Sequence, residues 1–331
     1  MKPKVVVIIV IWNGVEDTLE CLSSLLQDGY PNFEIVIVDN GSTDGSAETL
    51  QEKKFPVRIL RAAGNMGFTG GNNLGLAEAQ RLGAQYVFLL NNDTTLEQGA
   101  IGALVEAAET REGLGICAPV MHYFDEPSRI WFAGSRLSLP RAEALHDGSL
   151  HPSRSRAPYH VPWVSGCAML VRMVAMEQVG GFDERFFLTW EDVDWCVRMR
   201  AQGWFVMVVP KARIFHKCAR SGMRLKGIRS YYAVRNSLLL AAKHAGIGYF
   251  SALFFVLARH LRGAFRGKSK ERREEFHTTM EGLRDHLLGR YGSRPSPSKV
   301  LTTGRNAGER KNEKGLEKRG VSANRAEGRE S

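Results

Sequence analysis

The first 120 residues contain five short apolar runs, separated by segments with the periodicity of amphipathic helices. The runs are Val5–Ile11, Glu34–Val38, Val57–Leu60, Tyr86–Leu90 and Gly115–Pro119. They are nearly continuous and do not alternate apolar with polar residues. This pattern is typical of strands covered on both faces, as in a parallel sheet.

Helical segments are predicted between these strands. Four apolar residues with the spacing of one helix face follow the first strand: Val15, Leu19, Leu22 and Leu26. Further helices are predicted over Gly70–Leu82 and Leu96–Ala108. The alternation of strand and helix predicts a doubly wound α/β fold, in which ligands bind at the carboxyl ends of the strands.

The second half of the chain is less regular. Residues 140–160 contain three prolines with several Ser and Arg residues, which predicts a long connecting loop. Beyond it we expect a strand over Val164–Val171, a helix over Trp190–Gln202 and a strand over Trp204–Pro210. Residues 226–290 are predicted to be helical.

The positive charge is concentrated at the C-terminal end. Residues 1–258 hold 26 Lys and Arg against 25 Asp and Glu, whereas residues 259–331 hold 19 against 10. A uniformly basic nucleic-acid-binding domain would not show this distribution, so we expect no nucleic acid partner. The polar, basic residues 293–331 are predicted to be disordered. Five Cys without a C-x-x-C pair favour a reducing compartment over a disulfide framework or a zinc ribbon.

Residues 247–265 combine an apolar stretch with the flanking Arg259, Arg262 and Arg266. We expect residues 247–290 to lie on an anionic membrane surface. The alternative is a core or dimer-interface helix followed by a solvated basic tail. No stretch reaches the roughly 18 uncharged apolar residues of a membrane-spanning helix, so none is predicted.

Loops rich in Gly, Asn and Asp follow the first four predicted strands, at residues 12–14, 39–44, 64–73 and 91–93. Turn chemistry alone explains any one of them. However, the carboxyl ends of parallel strands meet at one rim of a sheet. We therefore expect the four loops to form a single site.

Two of these loops have the chemistry to bind a nucleotide. Asp39 ends the second strand, and its carboxylate can accept hydrogen bonds from a base or a ribose hydroxyl. The alternative role is an N-cap, for which Asp44 is better placed. The stretch GNMGFTGGNN at 64–73 can bring backbone amides close to a phosphate at a helix N-terminus. It lacks G-x-G-x-x-G and G-K-[ST], so the usual NAD and ATP fingerprints are missing.

Asp93 and the segment Trp190–Cys196 could supply catalytic groups. Asp93, with Asn92 assisting, could bind a divalent ion that bridges a diphosphate; the alternative is a turn or N-cap. Trp190–Cys196 places three carboxylates between two indoles, which favours a raised proton affinity and a general base. The alternative is a capped helix with a solvated acidic turn. His216 follows a strand-like segment, and a lone His is more often structural than a ligand.

Six motifs occur together in order: IVIWNG, VDNGSTDGS, GNMGFTGGNN, LLNNDT, SGCAMLVR and GGFDERFFLTWEDVDWCVR. Over about residues 4–240 the chain resembles an inverting family 2 glycosyltransferase with the GT-A fold. The GNMGF–GGNN stretch, the WED sequence and YYAVRN at 231–236 are most similar to the rhamnosyltransferase-type branch, which builds cell-wall and O-antigen polysaccharides. The resemblance implies a GT-A domain over 1–225, with a nucleotide-binding half at about 1–120 and an acceptor half at about 160–225. Residues 226–292 would be a helical extension.

The resemblance also implies roles for individual residues. Trp12 and Asp39 would contact the base of the nucleotide. Asp93 would be the last carboxylate of a D-x-D metal motif that binds Mg²⁺ or Mn²⁺, and His216 would be a second ligand. Further residues would line the donor site: Asn65, Gly67, Gly71, Asn72, Asn73 and Asn92. The first carboxylate of D-x-D is Asn91 here, so this loop supplies fewer anionic ligands.

The implied reaction is direct displacement at the anomeric carbon of a nucleotide sugar. Asp192 would be the catalytic base, and Glu191 beside it would hold sugar hydroxyls. The branch implies dTDP-rhamnose as donor, a saccharide or lipid-linked saccharide as acceptor, and a location at the cytoplasmic face of the inner membrane. The alternatives are a polyprenyl-phosphate sugar synthase and a non-catalytic nucleotide-sugar-binding protein.

Overall fold

A computed structural model of the chain describes residues 1–147, 157–218, 226–265 and 270–294. Its strands are β1 (Val5–Ile11), β2 (Phe33–Asp39), β3 (Val57–Arg61), β4 (Tyr86–Leu90), β5 (Thr94–Leu96), β6 (Leu114–Tyr123), β7 (Ile130–Phe132), β8 (Ser135–Ser138), β9 (Glu143–His146), β10 (Tyr159–His160), β11 (Ala168–Arg172) and β12 (Phe205–His216). Its helices are α1 (Val15–Leu26), α2 (Ser46–Glu52), α3 (Gly67–Arg81), α4 (Ala100–Glu109), α5 (Met173–Val179), α6 (Glu191–Ala201), α7 (Lys226–His244), α8 (Gly248–Phe265) and α9 (Lys270–Leu287).

A ten-stranded mixed sheet forms the centre of the protein. Its main order is β10-β12-β6-β11-β4-β1-β2-β3, with β5 paired to β12 and β7 paired to β6. The β4-β1-β2-β3 half is parallel, and β11 runs antiparallel to both β4 and β6. Helix α3 packs on β1 and β2, and helix α4 packs on β6 and β12. The sheet flanked by helices is the predicted α/β architecture.

The predicted strands β1 to β4 and β6 are confirmed. In β1 every residue except Val10 is buried, which agrees with a strand paired on both sides and covered on both faces. The register places Ile11 opposite Asp39, so β1 and β2 end side by side. This alignment of the strand ends positions the loops that follow.

Several predicted boundaries are wrong because strand pairing overrides local periodicity. The helix predicted from Leu96 begins at Ala100, since Thr94–Leu96 pairs with the end of β12. The strand predicted to end at Pro210 continues to His216. Its register against β6 shifts between Val209 and Arg213. This irregularity accommodates Pro210, which has no N–H group to donate to the neighbouring strand.

Two other predicted elements start at different residues. Helix α3 begins at Gly67 instead of Gly70. Strand β11 begins at Ala168 instead of Val164. Phe68 lies in the part of α3 that was not predicted, and its N–H bonds to the carbonyl of Phe187. Gly166 lies in the segment that was predicted as strand, and its N–H bonds to Asp192.

The long loop predicted over 140–160 is also wrong in part. Strands β8 and β9 form a hairpin around a turn of 3₁₀ helix at Leu139–Arg141, and β10 pairs with β12. Ala142, with φ 48°, closes the hairpin in a left-handed conformation. Pro140 lies in the 3₁₀ turn and does not exclude regular structure on either side of it. Residues 148–156 of this loop lie outside the described residues.

Three helices follow the sheet, as predicted for residues 226–290. Helices α7, α8 and α9 share a small apolar core that includes Val234, Leu238, Val256 and Leu283. They belong to the same compact unit as the sheet, which extends from Met1 to Ser293. The division at residues 225 and 292 remains a prediction. Disorder is predicted for residues 293–331, and residues 295–331 lie outside the described residues.

Candidate active site

The loops after β1 and β2 are joined by hydrogen bonds. The N–H of Gly14 donates to Asp44 Oδ2 at 2.8 Å, and the N–H of Thr43 donates to Asn13 Oδ1 at 2.8 Å. Asp44 Oδ1 also accepts the N–H of Ser46 in the first turn of α2. Asp44, and not Asp39, therefore accepts a hydrogen bond from the first turn of α2.

Asp39 lies at the end of β2, is 6% exposed, and accepts the N–H of Ser42 at 2.9 Å. Trp12, at the end of the neighbouring strand, has an indole that is 50% exposed. A carboxylate and an accessible aromatic ring on adjacent strand ends are suited to bind a base by hydrogen bonding and stacking. Their predicted contact with the nucleotide base remains a prediction.

Asn40 connects the loop after β2 to the loop after β3. Its Oδ1 accepts the N–H of Met66 at 2.9 Å, and its Nδ2 donates to the carbonyl of Gly67 at 2.9 Å. Asn65, which is exposed, accepts the N–H of Gly67 at 2.8 Å. In the loop after β4, Asn92 Nδ2 donates to Thr18 Oγ1 of α1 at 3.0 Å. The four polar loops thus occupy one rim, as expected.

The predicted phosphate-binding residues of α3 have structural contacts of their own. A Cβ on Gly67, which has φ 72°, would lie 2.4 Å from the carbonyl oxygen of Phe187. A Cβ on Gly71 would lie 2.7 Å from Val10 Cγ1 of β1. These glycines allow α3 to pack closely on its neighbours. Their predicted contact with the donor remains a prediction.

Asn72 and Asn73 are engaged in the same way. Asn72 is 2% exposed and donates to the carbonyl of Phe68 within α3. Asn73 uses both ends of its amide on residue Phe182, by donating to the carbonyl at 3.0 Å and accepting the N–H at 2.9 Å. Their side chains therefore hold protein segments, and they do not join the loops of the rim.

Asp93 and His216 form a buried pair. Asp93 Oδ1 lies 3.2 Å from His216 Nε2, and the two residues are 7% and 8% exposed. The antiparallel pairing of β5 with β12 places His216 opposite Thr94, which brings the histidine to this loop. The indole of Trp131 lies edge-on to the imidazole, with ring centroids 4.5 Å apart. This proximity of residues 123 positions apart is visible only in the fold.

The donor set of this pair fits a divalent cation. A carboxylate is an ordinary ligand of both Mg²⁺ and Mn²⁺, and an imidazole nitrogen suits a transition ion such as Mn²⁺ better than Mg²⁺. Within the described ranges, no group of three or more Asp, Glu, His or Cys residues is arranged to hold a metal. Asn91 stands two positions before Asp93, so this loop contributes one carboxylate to the pair.

Glu191 and Asp192 lie in the first turn of α6. Asp192 accepts two backbone N–H groups, from Gly166 at 2.9 Å and from Val193 at 2.8 Å. Burial raises the pKa of Asp192, and these two donors oppose the rise. The N-terminal end of the helix dipole also favours the charged carboxylate. The pKa of Asp192 is therefore raised overall, by burial, and the two N–H groups limit that rise.

Glu191 has a different environment. It is 6% exposed, and within the described residues its Oε2 is buried without a hydrogen-bond partner. Burial raises the pKa of Glu191 well above its ordinary value, and the charge of Asp192 raises it further. We expect the pair to carry one negative charge, located on Asp192.

A short segment connects the acidic pair to the Asp93 loop. Gly166 donates to Asp192, and the carbonyl of the next residue, Cys167, accepts the N–H of Asn91 at 2.8 Å. A Cβ on Gly166 would lie 3.4 Å from the Cβ of Asp192, so the two backbones approach closely. Asp93 and Asp192, which are 99 positions apart, are thus brought to one region of the protein.

Buried hydroxyl groups surround the same region. Thr69 Oγ1 and Thr189 Oγ1 are buried and, like Glu191 Oε2, have no hydrogen-bond partner within the described part of the chain. Buried polar atoms are nearly always hydrogen-bonded, so these three atoms have capacity left to bond a ligand or a water molecule. A sugar, with several hydroxyls, can supply such bonds.

The loop before α6 has an unusual backbone. Phe187, Thr189 and Trp190 have φ angles of 62°, 66° and 73°. Left-handed residues other than glycine cost about 1–3 kcal/mol each and persist only where neighbouring structure holds them. Sequence analysis did not single out the residues that hold this loop, Arg235 and Asn236, as site residues. Their only signal was the YYAVRN stretch.

Comparison with known proteins identifies the family. The family model described as glycosyl transferase family 2 matches residues 6–180. The N-acetylglucosaminyl-diphospho-decaprenol L-rhamnosyltransferase of Mycobacterium tuberculosis (strain H37Rv) is 30% identical over 241 residues, which cover 64% of this chain and 76% of the relative. The dTDP-rhamnosyl transferase RfbF of Shigella flexneri is 23% identical over 252 residues, which cover 74% and 82%.

Solved structures show the same fold. The mannosyltransferase PcManGT from Pyrobaculum calidifontis, in complex with GDP-Man and Mn²⁺, has a TM-score of 0.56 at 15% identity and covers 87% of this chain and 88% of its own. GalNAc-T7 with UDP, GalNAc and Mn²⁺ has a TM-score of 0.56 at 14% identity, covering 71% and 51%. The GT-A fold predicted from the motifs is confirmed. The chain is a glycosyltransferase that belongs to glycosyl transferase family 2.

Proposed function

We propose that the protein transfers rhamnose from dTDP-rhamnose to a lipid-linked saccharide, with inversion at the anomeric carbon, in cell-surface polysaccharide synthesis. The observation that carries the mechanism is the placement of Asp192, an N–H-stabilised carboxylate, beside the loop that holds Asp93. Two of the relatives that match are named as rhamnosyltransferases, one with a lipid-linked acceptor in its name and one with a dTDP-linked donor. Neither a polyprenyl-phosphate sugar synthase nor a non-catalytic protein is favoured.

In this mechanism Asp192 removes the proton from an acceptor hydroxyl. The oxygen forms a bond to the anomeric carbon, and the bond to the diphosphate breaks on the opposite face. Asp192 is suited to this step because burial raises its proton affinity while two N–H groups keep it ionised and oriented. Glu191, with its raised pKa, donates a hydrogen bond to a sugar hydroxyl.

The remaining residues would bind the donor. Trp12 and Asp39 would contact the base. Asp93 and His216 would hold Mg²⁺ or Mn²⁺, and such an ion stabilises negative charge on a leaving diphosphate. Asn92, one residue before Asp93, lies close to Gly14: a Cβ added to this glycine would be 3.9 Å from Asn92 Nδ2. It would therefore lie between the metal side and the base side of the site.

The substrate proposal is tested by transfer assays with an undecaprenyl-diphosphate-linked N-acetylglucosamine acceptor. dTDP-rhamnose, UDP-glucose and GDP-mannose are compared as donors at equal concentration, with Mn²⁺ or Mg²⁺. We expect turnover with dTDP-rhamnose to exceed turnover with the other donors. Preferential turnover with UDP-glucose or GDP-mannose would overturn the assignment of the donor and leave the glycosyltransferase activity intact.

We also propose that the protein acts at an anionic membrane surface, at the cytoplasmic face of the inner membrane, where a lipid-linked acceptor is available. Phe250 and Phe254 are 73% and 66% exposed, and their spacing of four places them on one side of α8. Ile247, which directly precedes the helix, is 93% exposed. Within the described residues no helix is long and apolar enough to span a membrane. The exposed rings favour a helix that lies in the lipid interface.

A second helix end contributes to this surface. Tyr249 and His286 are hydrogen-bonded at 2.9 Å, which brings the start of α8 to the end of α9, where Leu287 and Leu288 are 61% and 56% exposed. Arg284 and Arg290, both with side chains 61% exposed, lie near these leucines in the sequence and suit anionic headgroups.

Vesicle co-sedimentation tests the membrane proposal. Vesicles of phosphatidylglycerol and phosphatidylcholine are compared with phosphatidylcholine alone. The double variant Phe250→Ser, Phe254→Ser should bind anionic vesicles at least about 10-fold more weakly, since each buried ring contributes on the order of 1.5–3 kcal/mol. Val174→Ser, at a position 63% exposed on α5, serves as the control. Equal binding of the double variant and the control would contradict the proposal.

A further inference from the structure

The segment that leads into the acidic pair is held by groups outside it. This segment, residues 185–190 (the 185–190 loop), contains three non-glycine residues with left-handed backbones and directly precedes Glu191. A loop of this conformation persists only where surrounding contacts determine it. The contacts described below come from two helices, α7 and α3, and the N–H of Gly292 adds a hydrogen bond to the carbonyl of Arg185 at 3.0 Å.

Asn236 of α7 makes the most contacts with the loop. It is fully buried, and its Nδ2 donates to the carbonyls of Phe186 at 2.8 Å, Leu188 at 2.8 Å and Thr189 at 2.9 Å. One amide group thereby bonds three carbonyls of the loop, sharing its two hydrogens among them. The carbonyl of Phe186 also accepts the N–H of Leu188 at 2.7 Å. Burial of unpaired carbonyls would be costly, so this arrangement fixes the path of the backbone.

Arg235 supports the loop and orients Asn236. Its guanidinium is fully buried and donates to the carbonyls of Arg185 at 3.0 Å and Phe186 at 3.1 Å. Its Nε donates to Asn236 Oδ1 at 3.0 Å. This bond directs the Nδ2 group of Asn236 toward the loop. The guanidinium also lies 4.7 Å from the ring centroid of Tyr232, a cation–π contact that supports the buried charge.

The opposite side of the loop contacts helix α3. The carbonyl of Phe187 accepts the N–H groups of Phe68 at 2.7 Å and Thr69 at 3.3 Å, in the first turn of α3. The ring of Phe187 stacks on Tyr232 with centroids 5.4 Å apart and an interplanar angle of 18°. The loop is thus held between α3, which adjoins the rim of polar loops, and α7.

Helix α7 also contacts the other side of the acidic pair. Asp194, two residues after Asp192, is fully buried and accepts Lys243 Nζ at 2.6 Å and His244 Nε2 at 2.8 Å. Helix α7 therefore holds the 185–190 loop before Glu191 and also holds Asp194, two residues after Asp192.

We propose that Arg235 and Asn236 are positioning residues for catalysis: they hold the 185–190 loop against α3, so that Asp192 is aligned with the donor. The inference rests on the role proposed above for Asp192. Neither residue touches the acidic pair directly, so both act through the loop. A shift of about 1 Å at a reacting group is enough to lower turnover by about 100-fold, which gives such a device its effect.

The test compares Asn236→Asp with Ser237→Ala. The first variant keeps the size of the side chain and replaces its donor group by an acceptor. Ser237 is also buried, but its hydroxyl donates to Val234 within α7, so its loss leaves the loop contacts intact. Hydrogen exchange by mass spectrometry, dTDP binding by calorimetry and steady-state kinetics are measured for both.

In Asn236→Asp we expect amides of residues 185–194 to exchange at least about 10-fold faster, while those of β1 and β4 are unchanged. We expect kcat to fall at least about 10-fold and the dTDP affinity to change by less than about threefold. Ser237→Ala should match the wild type. Wild-type exchange and kcat in Asn236→Asp would overturn the proposal, as would faster exchange across all peptides, which would indicate a general loss of stability.

If Asn236→Asp does not fold, Tyr232→Leu removes the stacking contact with Phe187 while keeping an apolar side chain in the buried position. The same local increase in exchange is expected, and its absence would overturn the proposal. The exchange measurement needs no substrate. A failure of wild-type transfer with dTDP-rhamnose therefore contradicts the substrate proposal, whereas unchanged exchange contradicts the positioning role.

Discussion

The carboxylate of Asp192 accepts the backbone N–H of Gly166 at 2.9 Å. Because Cys167 is bonded in turn to the N–H of Asn91, this contact connects the start of α6 to the loop that carries Asp93. The proposed base and the proposed metal ligand are therefore fixed relative to each other by backbone groups.

Asp192 and Glu191 should respond differently to removal of their charge. Asp192→Asn should lower kcat by about 100-fold or more, because the general base is lost. Glu191→Gln imitates the protonated carboxyl and should keep kcat within about 10-fold of the wild type. Steady-state transfer kinetics measure both. A larger loss in Glu191→Gln than in Asp192→Asn would exchange the two roles.

The raised pKa of Glu191 predicts a pH-dependent stability. A carboxyl whose pKa is raised by folding contributes stability that is fully present below its ordinary pKa of 4.5 and is lost as the pH rises through the folded value. Glu191→Gln lacks this loss. Its Tm should therefore rise relative to the wild type as the pH increases from 4 toward 8.

Thermal unfolding in a buffer series checks this dependence. Glu126→Gln, at an exposed position, is the control and should show no such trend. A Tm difference between Glu191→Gln and the wild type that is constant over the pH range would exclude a raised pKa for Glu191.

Gly67→Ala should destabilise the protein more than Gly83→Ala. Both glycines have left-handed backbones, with φ of 72° and 69°. A Cβ at Gly83 meets nothing within 4 Å, so only the conformational cost of about 1–2 kcal/mol applies. At Gly67 the Cβ would also overlap the carbonyl of Phe187. Urea unfolding should show the difference, and equal losses would indicate that the contact with Phe187 is unimportant.

Removal of the Asp194 carboxylate should be strongly destabilising. Its pKa is raised by burial, but His244, Arg198 and Lys243 outweigh this effect and bring the pKa below its ordinary value. Asp194→Ala leaves Arg198 and Lys243 without this buried carboxylate and removes the hydrogen-bond partner of His244, which costs about 3–5 kcal/mol. Glu126→Ala, which removes an exposed ion pair, should cost at most about 1 kcal/mol. Chemical unfolding of both variants measures the contrast, and similar losses would show that Asp194 is unimportant for stability.

His216→Gln should weaken the binding of Mn²⁺ in the presence of dTDP by about 10-fold or more, because even outer-shell changes at metal sites have effects of this size. Electron paramagnetic resonance of free Mn²⁺ measures this affinity without a transfer assay. His160→Gln, at an exposed residue of β10, is the control. Unchanged Mn²⁺ affinity in His216→Gln would remove it from the metal site.

Sequence alone determined the strands of the nucleotide-binding half and the loops that follow them. Continuous apolar runs such as Val5–Ile11 have to be buried, and parallel strands have to present their carboxyl ends together, so local pattern was sufficient. The motifs also identified the family, including the WED sequence and the departure at Asn91.

Only the tertiary structure decided how each polar residue is used. Asn73 bonds to Phe182, and a Cβ on Gly71 would lie 2.7 Å from Val10 Cγ1, while the predicted contact of both residues with the donor remains a prediction. Asn236 bonds to carbonyls 47 to 50 positions away. Hydrogen bonds and close packing between distant segments leave no period in the sequence, because they depend on where the folded backbone brings each group.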